Sequence, residues 1–205
     1  MQLIGYMDSP FVRRVAVTAE FLRLPYEHRE LSIFRELEEF SAISPLVKVP
    51  TLVCDNGEIL VESTLIVEYL ESLAGADKTL SPQVGDDRIK ALQIIGIALV
   101  ANEKVAQLIY ETKRRPAELQ HPPWIERLEG QLRGAVDLLE TEVGDGDSWL
   151  FASGVSQADI TAAIAWRFVQ HILAEKIPAN DYPGLVNFSS RAEALAEFIA
   201  CPLSS

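Results

Sequence analysis

Three short clusters in this sequence carry residue types at spacings that can do chemistry. The first is Ser9-Pro10, a hydroxyl directly ahead of a proline and an apolar helical repeat. Proline suits a first helical position, so Ser9 stands where a side-chain oxygen caps a helix. No histidine–acid pair accompanies it, so nothing marks it as an activated nucleophile. The second cluster runs from Lys48-Val49-Pro50 through a hairpin to Glu62-Ser63. It ends with an acid and a hydroxyl where an apolar helical pattern begins. Such a place can hold a small zwitterionic ligand, by backbone pairing at one end and by charge at the other. The third is Ser156-Gln157-Ala158-Asp159, the Ser-x-x-acid form of a capping box with Asp in place of the usual Glu. Here Asp159 reads as structural.

Other polar residues carry less. His28, His121 and His171 have no metal-ligand spacing, so no metal is expected. Lys113-Arg114-Arg115 suits a helix C-terminus, where cations meet the negative end of the dipole. Trp124, Trp149 and Trp166 fall at helical or helix-entry positions and read as core.

The elements that must position these clusters follow from periodicity. Residues 2–6 read as a short strand, and Phe11, Val15, Ala19 and Leu22 recur at helical spacing up to Pro25. Residues 26–31 read as a second strand and 32–43 as a weaker helix with Leu37 and Phe40 on its apolar side. Two β-rich runs, 51–54 and 59–61, flank Asn56-Gly57, the strongest short hairpin signal. Ser63 is then expected to cap a helix bearing Leu65, Ile66, Tyr69, Leu70 and Leu73, stopped by Gly75. The first strand-helix-strand is a parallel crossover and the hairpin adds antiparallel strands, which gives a mixed four-stranded sheet covered by helices.

Everything after the linker reads as helical. A long helix is expected over 88–113, and Pro122-Pro123 opens another, closed by Gly144. A third follows Asp159, and a last one carries Leu185, Phe188, Ala192, Leu195 and Ile199. The expected organisation is therefore an α/β domain over 1–76, a linker over 77–87 and an all-α domain over 88–205.

The totals agree with a globular chain. It has 205 residues, 48% hydrophobic and 23% charged, with a formal net charge of −12. That balance argues against a nucleic-acid surface, which needs a basic patch. No apolar run is expected to span a bilayer, and no basic region with an apolar core marks a signal peptide. Two cysteines, Cys54 and Cys201, cannot form a disulfide framework and fit a reducing, cytoplasmic compartment.

Taken together, several stretches resemble the soluble glutathione S-transferases, which join a thioredoxin-like domain to a helical one. Ser9-Pro10-Phe11-Val12-Arg13-Arg14-Val15 is similar to the active-site segment of the serine and cysteine subgroups. Ser44-Pro45-Leu46-Val47-Lys48-Val49-Pro50-Thr51-Leu52 resembles the loop ending in the family's cis-proline, although Ser44 and Val47 replace its usual Asn and Gly. Glu62-Ser63 resembles the pair that grips the γ-glutamyl group, and Ser156 to Ile160 resembles the capping box of the core helix. Tyr182-Pro183-Gly184-Leu185, with Arg191 behind it, resembles the C-terminal signature, although Phe188 stands where tryptophan is common.

The resemblance implies glutathione as cosubstrate and Ser9 as the hydroxyl that favours its thiolate, a thiol of ordinary pKa about 8.5. It implies a cis Val49-Pro50 bond, Val49 pairing with the cysteinyl part, and Glu62 and Ser63 holding the γ-glutamyl ammonium and carboxylate. Lys48 would meet a ligand carboxylate, Arg35 the glycyl carboxylate, and Asn102 or Glu103 the partner subunit's site. Met7, Phe11 and Tyr110 would line the pocket of an electrophilic second substrate. Tyr6 and Cys54 are rivals of Ser9. Tyr6 reads as a strand aromatic and Cys54 as a small buried residue. A homodimer through the long helix and a role in detoxification are expected on the same grounds. Two alternatives stay open: a glutathione-binding or regulatory protein without turnover, and a glutathione-dependent isomerase or dehalogenase.

Overall fold

The computed structural model describes residues 1–203, apart from the side chain of Ala76. The chain divides into two compact units, Met1–Leu80 with the segment from Ala194 onward, and Ser81–Glu193.

In the first unit the chain runs β1 (Gln2–Ile4), α1 (Pro10–Leu22), β2 (Glu27–Arg29), α2 (Leu37–Ile43), β3 (Thr51–Val53), β4 (Ile59–Val61) and α3 (Ser63–Ala74). The sheet order is β2-β1-β3-β4. β1 pairs parallel with β2, Gln2 opposite Glu27, and antiparallel with β3, Gln2 opposite Val53. This is the mixed four-stranded sheet that the crossover and the hairpin demand. α1 packs on α3 and on β1, with Val12, Val15, Ala16, Ala19 and Leu22 buried.

Local chemistry trims three of the expected elements. β1 stops at Ile4 because Gly5 takes φ +133°, so Tyr6 lies beyond the strand and not within it. A Cβ at position 5 would fall 2.6 Å from Val12 Cγ2 and 2.9 Å from Val49 Cγ1. The helix expected over 32–43 is only Leu37–Ile43, because Ser32 builds a turn first. Its Oγ accepts from the Phe34 and Arg35 N–H groups, both at 3.1 Å, and its N–H donates to Glu36 Oε2 at 2.8 Å. Such side-chain bonds offer the backbone an alternative to the helix. α1 ends before Pro25 through a left-handed Arg23, φ 55°, whose N–H closes on the Ala19 and Glu20 carbonyls.

The second unit is helical: α4 (Gly85–Ile109), a π-helical turn (Tyr110–Arg114), α5 (Pro122–Val143), α6 (Gln157–Leu173) and α7 (Pro183–Glu193). α4 packs on α5 and α6, and α7 on both α5 and α6. α6 is the central helix, buried at nearly every position from Gln157 to Val169. The single last helix expected through Ile199 is in fact two. α7 ends at Glu193, and α8 (Ala196–Ile199) starts after an extended Leu195. α8 clusters with the first unit, so the expected all-α stretch from 88 on is shared between the units. Its positions 204 and 205 lie outside the described residues.

One helical stretch, Gly85–Arg114, is by length and composition alone long enough and apolar enough to cross a bilayer, where none was expected. Its apolarity has two sources. Ala91, Ile94, Ile95, Ala98, Ala101, Val105 and Leu108 are buried, while Ile89, Leu92 and Val100 form an exposed stripe.

Candidate active site

The first helix start is built by two small features. Ser9 sits at φ −76°, ψ 120°, with Oγ accepting from the Val12 N–H at 3.4 Å, and Pro10 follows at the first helical position. That bond is long, and the hydroxyl hydrogen has no acceptor among the described residues. Ser9 can therefore cap α1 and still donate to an anion placed beyond the helix end. Gly5 brings Val49 against the same turn, because only a residue without a side chain fits between Val12 and Val49. The Val49–Pro50 bond is cis. Thr51 holds the loop with its Oγ1 donating to the Lys48 carbonyl at 2.7 Å, while the Lys48 side chain is exposed.

The second helix start is strained. Glu62, not Ser63, is the cap of α3: its carboxylate accepts from the Thr64 N–H at 3.1 Å. Ser63 is the first helical residue, which corrects the expected cap by one position. Glu62 takes φ +73°, a region that costs a non-glycine residue about 1–3 kcal/mol. Its carboxylate is exposed, and Ser63, 1% exposed, donates to it at 3.5 Å. The Ser63 and Leu65 N–H groups lie in the first helical turn, where no intrahelical acceptor exists. An exposed acid beside free helix-start donors can bind an ammonium and a carboxylate together, the two charges of an amino-acid end.

Beneath that turn lies a residue to which the sequence assigned no role. Arg14 is 1% exposed, and its Nη1 donates to Ser63 Oγ at 3.2 Å and to Thr64 Oγ1 at 3.1 Å. Burial lowers its pKa to about 10, against the raising effect of Glu62 and Glu71. It stays charged at neutral pH and fixes the start of α3 to α1. An arginine next to an arginine on an apolar helix reads as solvated. The one available signal was its place in the heptapeptide from Ser9 to Val15.

Ser9, Val49, Pro50, Glu62 and Ser63 thus belong to one unit, joined through Gly5 and Arg14. Met7 is buried there and Phe11 half-buried. Arg35 is exposed and lies over the Tyr6 ring at 5.0 Å, with Glu36 at 4.0 Å. Cys54 is buried, as a small core residue would be. Tyr110, Asn102 and Glu103 belong to the other unit. Tyr110 is exposed at the head of the π-helical turn. Glu103 is exposed and accepts from Gln107 Nε2 at 2.5 Å. Asn102 is 0% exposed, with neither amide atom hydrogen-bonded, so in this chain it does not reach outward.

Comparison with known proteins places both units. The family model described as glutathione S-transferase, N-terminal domain matches residues 3–78, and that described as glutathione S-transferase, C-terminal domain matches 122–200. The chain is 28% identical to an uncharacterised GST-like protein of Escherichia coli, over 80% of each chain. It is 27% identical to a maleylacetoacetate isomerase of Pseudomonas aeruginosa, over 78% of this chain and 77% of that one. A glutathione S-transferase of Methylobacterium radiotolerans, crystallised in complex with glutathione sulfonate, shares the fold with a TM-score of 0.89. That match has 23% identity and covers 100% of this chain and 95% of the other.

Proposed function

The chain belongs to the glutathione S-transferase family, and from that premise we propose that it binds reduced glutathione in its first unit and joins its thiolate to an electrophilic carbon. The γ-glutamyl end sits at the start of α3, its ammonium on the Glu62 carboxylate and its carboxylate on Ser63 and the free helix-start N–H groups. The Val49 backbone pairs with the cysteinyl part, and Lys48 supplies a cation at the rim. The thiol loses its proton to solvent, and the Ser9 hydroxyl donates to the resulting thiolate at the positive end of α1. A new C–S bond then forms at the electrophilic carbon, and either a leaving group departs from it or, in addition to an activated double bond, the neighbouring carbon takes up a proton. Met7 and Phe11, next to Ser9 in sequence, are assigned to the apolar second substrate.

The observation that carries this reading is Glu62: a surface carboxylate held at φ +73°, over a buried serine and a buried arginine. Strain of that kind persists where the surroundings impose it, and it clusters at binding sites. The test is calorimetric titration with glutathione of the parent chain and of Glu62→Ala. The parent should bind, and the variant should bind at least about tenfold more weakly, the loss expected for one charge-assisted contact. Equal affinity in the two would refute the ligand placement.

A second reading keeps the thiolate and changes the reaction to isomerisation, by addition to a double bond, rotation and expulsion of the sulfur. The similarity to the Pseudomonas isomerase supports it. Turnover of an aromatic halide against that of a cis-enedione distinguishes the two. The exposed stripe of Ile89, Leu92 and Val100 on α4 supports a homodimer through that helix. Two free cysteines suit the cytoplasm.

A further inference from the structure

α1 carries two consecutive buried arginines that point in different directions. Arg14 reaches the start of α3. Arg13, also 1% exposed, reaches the far end of the chain: its Nε donates to the Cys201 carbonyl at 2.8 Å, and its guanidinium lies 5.6 Å from the Phe198 ring centre. Phe198 stands edge-on to Phe21 near the end of α1, with ring centroids 6.4 Å apart. Cys201 Sγ lies 3.6 Å from the Tyr26 hydroxyl, just past that helix. Phe198 and Cys201 are 1% and 0% exposed. The chain end is thus fixed to α1, and to the turn after it, at residues 13, 21 and 26.

We propose that the segment 198–201 is a clasp that holds the Ser9 end of α1 in register, with Arg13 as the positioning residue that transmits the hold. The inference rests on the reading of Ser9 as the donor to a thiolate. Burying a guanidinium is costly, and an apolar side chain of similar volume commonly packs as well or better. What the charged fork adds is direction, because a hydrogen bond from Nε sets both the rotation and the height of the helix against the clasp. Arg13 lies four residues past Ser9, one turn into α1, so a shift there moves the hydroxyl with it. A donor must stay within about 0.5 Å of its working position to be effective.

The test uses the full chain with Arg13→Met, Arg13→Lys and Phe198→Leu, the last as a milder variant should the first fail to fold. Hydrogen exchange at the amides of Val12 to Val15 is read against those of β1 and β3, and the thiolate of bound glutathione is titrated by its ultraviolet absorbance. In Arg13→Met and Phe198→Leu the α1 amides should exchange faster while the strands keep their protection. The bound thiol should titrate at higher pH, and the thiolate fraction below its midpoint should fall about two- to fivefold, the size of a weakened helix-end interaction. Glutathione affinity should stay within about twofold, since the grip at Glu62 is separate. Arg13→Lys, with the charge but not the fork, should fall between parent and Met. Parental exchange and parental titration in a folded Arg13→Met or Phe198→Leu would overturn the clasp. A parent that binds no glutathione would instead refute the proposed function. The exchange of α1 alone would then decide the clasp, with unchanged rates overturning it.

Discussion

Two helix starts in this molecule are made of the same residue types and are put together in opposite ways. At the start of α6, Ser156 and Asp159 close on each other: Ser156 Oγ accepts from the Ala158 and Asp159 N–H groups, at 3.2 and 3.4 Å, and donates to Asp159 Oδ2 at 2.5 Å. Asp159 also accepts from the Ser156 N–H and the Leu150 N–H, both at 2.8 Å. Both side chains are buried, and the cap takes an ordinary φ of −115°. At the start of α3, Glu62 and Ser63 touch only at 3.5 Å, the acid is exposed and its φ is +73°. A closed cap has no capacity left for a ligand. An open, strained one has. The same acid-and-serine pairing therefore closes a cap in one unit and, under the proposed function, is left open for a ligand in the other.

The largest effect expected from breaking this contrast is at the closed cap. Asp159→Ala leaves the Ser156 and Leu150 N–H groups without their acceptor. It should cost about 3 kcal/mol, read as a lower denaturation midpoint, because each buried donor left unsatisfied costs about 1–3 kcal/mol. Glu62→Ala should cost only about 1 kcal/mol of stability, the usual worth of an N-cap, since its carboxylate is exposed. A large stability loss there would mean that the acid is structural after all. An effect well below that at Asp159 is also expected at Val47, whose φ of +47° is rare for a β-branched residue. Val47→Gly and Val47→Ala both lose its partial packing on Phe40 and Ile4. Glycine alone relieves the backbone, so it should be the more stable of the two by about 1 kcal/mol in chemical unfolding.

The smallest effect is a pH dependence at a second closed acid. Glu111 has its pKa lowered from 4.5, first by the His121 N–H and then by the Arg115 side chain. A depressed carboxyl stabilises the fold above its unfolded pKa, and that stability is lost as pH falls through the lower folded value. Thermal midpoints of Glu111→Gln should therefore lose the part of the parent's decline that sets in below about pH 4.5.

How far the sequence could be read follows the same division. Local chemistry was legible: Ser9 ahead of Pro10, Asn56-Gly57 between β-rich runs, Gly75 and Gly144 at helix ends, and the reciprocal cap at Ser156 all sit where their types place them. What was not legible depends on partners distant in sequence. Arg13 and Arg14 are buried because Cys201 and Ser63, 188 and 49 residues away, receive them. The helix expected through Ile199 breaks near Leu195, and the segment after it packs against α1. Glu62 takes the cap from Ser63 through a positive φ that acidic side chains seldom adopt and no pattern of types announces.

Under the proposed function, Ser9 is the donor that keeps a bound sulfur anionic. The most direct measurement is the pH titration of the glutathione thiolate on the parent chain and on Ser9→Ala, with conjugation rates taken across the same range. The parent should hold the thiol well below its ordinary pKa of about 8.5. Ser9→Ala should raise it and slow conjugation about a hundredfold, with affinity nearly unchanged. A thiol that titrates identically in the two proteins, at equal rates, would contradict the account.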